Sequence, residues 1–359
     1  MTRDPRSSDL DYPTTASAVP APTADVVIIG GGAAGLTAAQ VLGRARRTVT
    51  VVDGHAQRNA PAGHMHGYLS RDGMPPLELV ATGREEATRY GVDFIDGHVT
   101  ALEWRGTGSG FVLRLTDGRE LTSRAVLVAT GLRDELPALP GLEERWGVDV
   151  LHCPFCHAYE VRDQPLGVLG GANRELSVHQ ALLMPQWSRD VTFFPNGIEL
   201  TPGERARIQA RGVYIVDEPV RGIVVADDRL RAVELRSGQL VPRAALFVAP
   251  RFVPHAALLL QIGCDEGPGG LVATDETGGT TVPGVWAAGN VSDPRAQVIT
   301  AAGQGSAAAI AINGYLLAHD VEAALAAAPQ PAPFGREMEA SITALLLNER
   351  RSGPGWSLQ

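Results

Sequence analysis

The sequence predicts an α/β chain of two Rossmann-like domains, the first of them discontinuous and interrupted by the second. Three observations carry this. A strand, a glycine turn and a helix begin at Asp25; a second strand and glycine turn begin near Pro165; and a late strand from Val282 ends in Gly289-Asn290 and leads into a long Ala-rich helix. Strands alternating with helices point to parallel sheets. The expected organisation is a disordered tail over 1–23, a first nucleotide-binding segment over 24–132, an inserted domain over 133–252, the return of the first domain over 253–325, and a linker with a terminal helix over 326–359.

The 359 residues are enough for two domains with sizeable cores. A content of 44% hydrophobic and 20% charged residues belongs to a globular chain, and a net charge of -9 argues against nucleic acid or an anionic membrane surface as partner. Small molecules are the expected clients. Residues 1–23 are rich in Pro, Ser, Thr and Ala and lack the basic and apolar regions of a signal peptide, and no apolar run approaches the roughly 20 residues of a membrane span. A cytoplasmic location is expected, where a Cys-x-x-Cys pair serves catalysis or metal binding more often than structure.

The first strand is Val26-Val27-Ile28-Ile29, followed by Gly30-Gly31-Gly32-Ala33-Ala34-Gly35 and a helix through Val41-Leu42. In this G-x-G-x-x-G, Gly30 permits the tight turn, Gly32 lets backbone approach a pyrophosphate, and Gly35 lets the helix pack closely on the strand. A pyrophosphate there meets the unpaired N–H groups of the helix N-terminus. A second strand, Thr48 to Val52, ends in Asp53-Gly54, where a carboxylate can bind ribose hydroxyls.

Further on, the buried-type strand Ala125 to Val128 runs into Ala129-Thr130-Gly131, and Leu246 to Pro250 looks like a second copy of that device. The strand from Val282 ends in Gly289-Asn290 and is followed by Gln297-Val298 and a helix to about Leu317. One nucleotide-binding domain is thus assembled from both ends of the chain.

Between the halves stands Cys153-Pro154-Phe155-Cys156-His157. Two thiols at this spacing can close into a small disulfide and store two electrons. The same letters admit a haem-attachment site, a zinc site, or two buried cysteines acting as small hydrophobes. The chain holds only three cysteines, and Cys264 stands apart as an expected buried structural thiol.

Taken together, the segments over roughly 25–318 resemble the thioredoxin reductase-like flavoproteins. The resemblance implies FAD as cofactor, with Gly30, Gly32, Ala33, Ala34, Gly35, Asp53 and Gly54 at its adenosine and pyrophosphate half. Arg58, Asn59, Ala129, Thr130 and Gly131 would line it, and Gly289, Asn290, Gln297 and Val298 would serve the ribityl and ring. Asn290 stands where the family has Asp and can still hydrogen-bond ribityl hydroxyls. A homodimer is expected from the resemblance alone.

The second glycine turn departs from that family. Gly170-Gly171-Ala172-Asn173-Arg174-Glu175 puts a carboxylate near the helix end where a pyrophosphate would sit, and Val191 to Phe194 leads into Pro195-Asn196-Gly197 without Arg or Lys to meet a 2′-phosphate. Nicotinamide binding is therefore expected to be lost, unless Arg174 or Arg189 replaces the missing contacts. With His157 and the Pro-Phe pair between the cysteines, the chain is similar to the dithiol oxidases of gliotoxin and holomycin type. That branch implies closure of a disulfide within a small-molecule dithiol, with electrons passing through Cys153–Cys156 to FAD and then O2 to give H2O2. The rivals are a disulfide reductase fed by NADPH or ferredoxin, and a flavin redox sensor without turnover.

His157 suits the role of base, since imidazole titrates near neutral pH. His152 and Glu160 stand beside the same segment. The loop His64-Met65-His66-Gly67-Tyr68 also follows the ribose acid, and its two histidines are expected to be solvated. A linker at Pro329 to Pro333 and a helix from Phe334 to Arg351, with Met338, Ile342, Leu345 and Leu346 at helical spacing, close the reading.

Overall fold

A computed structural model describes residues 23–106, 108–328 and 335–352. Residues 1–22 of the expected 1–23 tail, the linker Pro329 to Pro333 and the start of the last helix at Phe334 lie outside the described residues, while Thr23 bonds to Thr122.

Seven strands build the first sheet. Asp93–Asp96, Val49–Asp53, Ala24–Ile29 and Glu120–Val128 run parallel in that order, and Phe111–Leu115 and Val99–Trp104 continue it antiparallel. The seventh strand, Val285–Ala287, arrives from the far end of the chain and pairs parallel with Glu120–Val128, Trp286 lying opposite Leu127. The strand foreseen from Val282 is thus shorter than its apolar run, because Gly284 takes φ +86 and turns the chain just before Val285.

This sheet reads as continuous apolar runs because both of its faces are covered. Val26 and Ile28 face a cluster with Ala38, Leu42, Ala309 and Ile312 from two helices, while Val27 faces Leu113, Leu259 and Val285 on the other side. Each such fully buried aliphatic side chain stabilises the fold by about 1.5–3 kcal/mol. Cys264 is buried in the second of these clusters, its thiol against Thr280 Oγ1 at 3.4 Å, and burial pushes its pKa up.

The second sheet has five parallel strands, in the order Tyr214–Ile215, Val191–Phe194, Leu166–Leu169, Ala245–Val248 and Val150–Leu151. A three-stranded antiparallel sheet, Val220–Ala226, Arg229–Leu235 and Leu240–Pro242, packs on it through Leu230, Val233 and Leu235. The chain crosses between the two large sheets twice, and the crossings pair with each other: Leu132–Glu135 lies antiparallel to Arg251–Pro254, with Asp134 opposite Phe252.

Residues up to Leu316 form one compact unit and those from Leu317 another. The Ala-rich helix runs over Val298–Ala327, ten residues past the expected end, since nothing from Leu317 to Ala327 breaks it: there is no Gly or Pro. The last helix spans Arg336–Ser352, and Met338, Ile342, Leu345 and Leu346 are exposed on it. Among the described residues no helix is long and apolar enough to cross a membrane.

Candidate functional site

The glycine turn after the first strand is fixed by clashes that only glycine avoids. Gly30 takes φ +106, and a Cβ there would lie 2.5 Å from the Ala129 carbonyl oxygen; a Cβ on Gly35 would lie 1.9 Å from the Gly30 oxygen. Gly32 is different in kind. A Cβ on it would meet no protein atom within 4 Å, and its φ of -81° tolerates any residue, so the glycine keeps an open space at the start of the helix Ala33–Arg44. That open cradle is the shape a pyrophosphate requires. The neighbouring Asp53 is almost fully buried; its Oδ1 accepts from Gly31 N at 3.0 Å and its Oδ2 from Gln57 Nε2 at 3.1 Å. Gly54 leaves room for the His98 ring.

The cradle opens into a cavity of about 1340 Å³ that extends from Gly30 and Asp53, past Ala129 to Gly131 and Gly289, to Gln297, Cys153 and His157. Every site residue named from the sequence lines it except Gly35, which packs helix on strand. The residues present therefore fit a dinucleotide lying along the cavity with its far end against the cysteines.

Arg58 and Asn290 are engaged differently from their sequence reading. The Arg58 guanidinium is held bidentately by Asp134, at 2.7 and 2.6 Å, stacks over the Phe252 ring, and donates to Asn290 Oδ1 at 3.2 Å. Asn290 in turn donates its two amide hydrogens to the Asp293 and Ala296 carbonyls, at 2.9 and 3.0 Å. A carboxylate could make neither bond. Asn290 thus has only acceptor capacity left for a ribityl hydroxyl. Gln304 completes this turn, accepting from Gly289 N and donating to Asp293.

Cys153 and Cys156 are joined as a disulfide, with Cα atoms 5.3 Å apart. Cys153 precedes the short helical turn Pro154–His157, where Pro154 takes the first position that needs no N–H. Cys156 faces Gln297, whose Nε2 lies 4.0 Å from its Sγ. Phe155 is largely exposed and meets Trp187 edge to face, at 5.8 Å between centroids.

His157 is partly buried beside the pair. Burial pushes its imidazole below the ordinary range; Glu160 pulls it up and His66 pushes it down. His152 is held neutral more firmly, down to about 4, chiefly by desolvation. Its ring packs edge-on against Phe252, Gln180 Nε2 donates to its carbonyl at 2.6 Å, and its Nδ1 is buried without a hydrogen-bond partner among the described residues.

Sequence reasoning missed His66. Far from being solvated, its ring lies between two carboxylates, Nδ1 at 3.3 Å from Asp72 Oδ1 and Nε2 at 3.4 Å from Glu160 Oε1. No spacing rule could find it, because Glu160 belongs to the other sheet's half of the chain.

At the second glycine turn the helix Arg174–Leu183 is capped from within: Asn173 Oδ1 accepts from Leu176 N at 3.0 Å, and Ser177 Oγ accepts from Gly171 N at 3.1 Å. Arg174, one of the two residues that could replace the missing basic contacts, is engaged bidentately by Glu204 at 2.6 and 2.9 Å and donates a third bond to the Glu199 carbonyl. Glu175 stands in the first turn of that helix, as expected, and also lines the large cavity together with Leu176 and His179.

The family model of pyridine nucleotide-disulphide oxidoreductases matches residues 24–305. Thioredoxin reductase sirT of Leptosphaeria maculans is 30% identical over 315 residues, covering 83% of this chain and 96% of that protein. Among solved structures, HlmI is 54% identical with a TM-score of 0.82, covering 84% of this chain and 95% of HlmI. An oxidoreductase from Agrobacterium tumefaciens is 38% identical with a TM-score of 0.74, over 82% of this chain and 98% of that one.

Proposed function

The chain belongs to the pyridine nucleotide-disulphide oxidoreductase family, with a thioredoxin reductase-like fold and FAD as its cofactor, and on that premise we propose that it is a dithiol oxidase. It closes an intramolecular disulfide in a small-molecule dithiol and passes the electrons to O2. The observation that carries this direction of flow is the second glycine turn, where Asn173 caps its own helix and Arg174 is taken by Glu204, so that neither is free to receive a coenzyme phosphate.

The chemistry of this chain's residues follows from their placement. A substrate thiolate attacks Cys153 Sγ, a mixed disulfide forms, and Cys156 leaves as a thiolate facing Gln297. His157 accepts the proton of the second substrate thiol, and the resulting thiolate displaces Cys153 and closes the product disulfide. The substrate loses two electrons and the protein pair gains them. When bound, FAD supplies the acceptor for that pair, and O2 takes the electrons on as H2O2. Burial serves His157 here, because a base must be unprotonated to act and desolvation favours the neutral ring.

The test is an anaerobic titration of the flavin-loaded protein with NADPH and, separately, with a small dithiol. Bleaching of the flavin by the dithiol, with H2O2 produced on admitting air, is the expected result. Rapid bleaching by NADPH overturns the proposal in favour of a reductase.

A further inference from the structure

The loop after Asp53 carries a polar bridge that the oxidase reading does not use. Between Met65 and Met74 the chain folds back on itself, Met65 N bonding to the Met74 carbonyl and Gly73 N to the Met65 carbonyl, each at 2.9 Å. Met65, at one end of this small loop, is buried. Asp72, itself exposed, closes it, its Oδ1 accepting from Gly67 N at 3.0 Å and facing His66 Nδ1. Gly67 takes φ +77, and a Cβ on it would lie 3.7 Å from Gln297 Oε1. The loop therefore abuts the residue that faces Cys156, and from there His66 extends its second nitrogen to Glu160.

Glu160 stands three residues after His157, in the turn that follows the short helix Pro154–His157. We propose that His66 is a positioning residue for the dithiol chemistry: anchored by Asp72 on one ring nitrogen and by Glu160 on the other, it ties the flavin-side loop to the turn bearing His157 and fixes the charges that His157 faces. This rests on His157 being the base.

The charged and titratable groups about His157 come from three directions. Glu160 lies on its own segment, His66 with Asp72 on the facing loop, and His152 ahead of the disulfide. The first two act on the imidazole in opposite senses. A carboxylate stabilises the protonated ring and a second imidazole opposes it. The protonated His66 ring can donate to both carboxylates at once, whereas a neutral ring donates to one. Without His66, Glu160 is left unopposed beside His157, and the base is driven toward its protonated, inactive form. Without Glu160, the opposite follows.

The opposed signs give the experiment. The His157 ring is titrated by NMR in the oxidised, FAD-loaded protein, its resonance being the one lost in His157→Gln. Compared with the native protein, the midpoint moves to higher pH in His66→Gln and to lower pH in Glu160→Gln. The acid limb of anaerobic flavin reduction by a small dithiol moves the same way in each. Midpoints unmoved in both variants, or moved in the same direction, overturn the bridge. Midpoints that separate as stated while the acid limb stays in place support the bridge and remove His157 from the role of base, so the two readings fail separately.

Discussion

Gln297 Nε2 lies 4.0 Å from Cys156 Sγ, joining the start of the Ala-rich helix to the disulfide across 141 residues of sequence. The amide can donate to the thiolate formed when Cys153 is attacked, and hydrogen bonds to charged groups contribute about 1.5–3 kcal/mol. Gln297→Leu should therefore slow flavin reduction by a small dithiol about tenfold or more. Stopped-flow bleaching under nitrogen measures this; an unchanged rate would detach Gln297 from the chemistry.

Cys153→Ser should abolish dithiol-dependent H2O2 production while the protein keeps its flavin absorbance, since the Cys153 side chain is joined to Cys156 and, among the described residues, is not bonded to the glycine cradle. Full turnover in that variant would remove the proposed route.

Gly32→Ala separates cofactor space from protein packing. The new methyl meets no protein atom, so thermal unfolding of the flavin-free chain should be unchanged, whereas FAD affinity should fall at least tenfold. Gly35→Ala should instead destabilise the chain itself, because its methyl is forced onto the Gly30 carbonyl. Equal FAD affinity in Gly32→Ala and the native protein would place the pyrophosphate elsewhere.

Asn290→Asp restores the residue common in related flavoproteins, yet here it should destabilise. A carboxylate cannot donate to the Asp293 and Ala296 carbonyls, and leaving buried groups unpaired costs about 1–3 kcal/mol each. Attraction to Arg58 offsets part of this, although Asp134 already neutralises that guanidinium. Differential scanning calorimetry of the FAD-loaded variant should find a melting point lower by a few degrees, and an equal or higher value would refute the account.

The pH dependence follows from His157. Its imidazole is held below the ordinary value, so the neutral, proton-accepting ring is present at neutral pH and is lost only as pH falls through that lowered value. Dithiol-driven flavin reduction should accordingly fall off on the acid side. His157→Ala should lower the rate by about 10²–10⁴ and flatten that limb. A variant with the native profile would return His157 to packing.

The parts of this molecule that were legible in sequence are those set by local spacing. Gly30, Gly32 and Gly35 are constrained within one turn, and Asp53 follows one strand later, so a pattern of residue types records their geometry. The pairs that knit the site together are written nowhere in the spacing. Arg58 meets Asp134 and Asn290 across 76 and 232 residues, and the strand pairing of Asp134 with Phe252 exists only once both crossings are made. Glu175 stands in the first turn of its helix, as the spacing implies, but that it also lines the cavity of the disulfide depends on a chain path that no spacing records.

The self-capped second turn has a consequence for reversibility. Two separate locks stand over it, the Asn173 cap on Leu176 N and the Glu204 clamp on Arg174, and they are independent of each other. A single substitution opens only one. On the oxidase reading, neither Asn173→Gly nor Glu204→Gln alone should confer use of a nicotinamide coenzyme, and even the double variant would still lack a basic residue after Phe194, so conversion to a reductase calls for several changes made together.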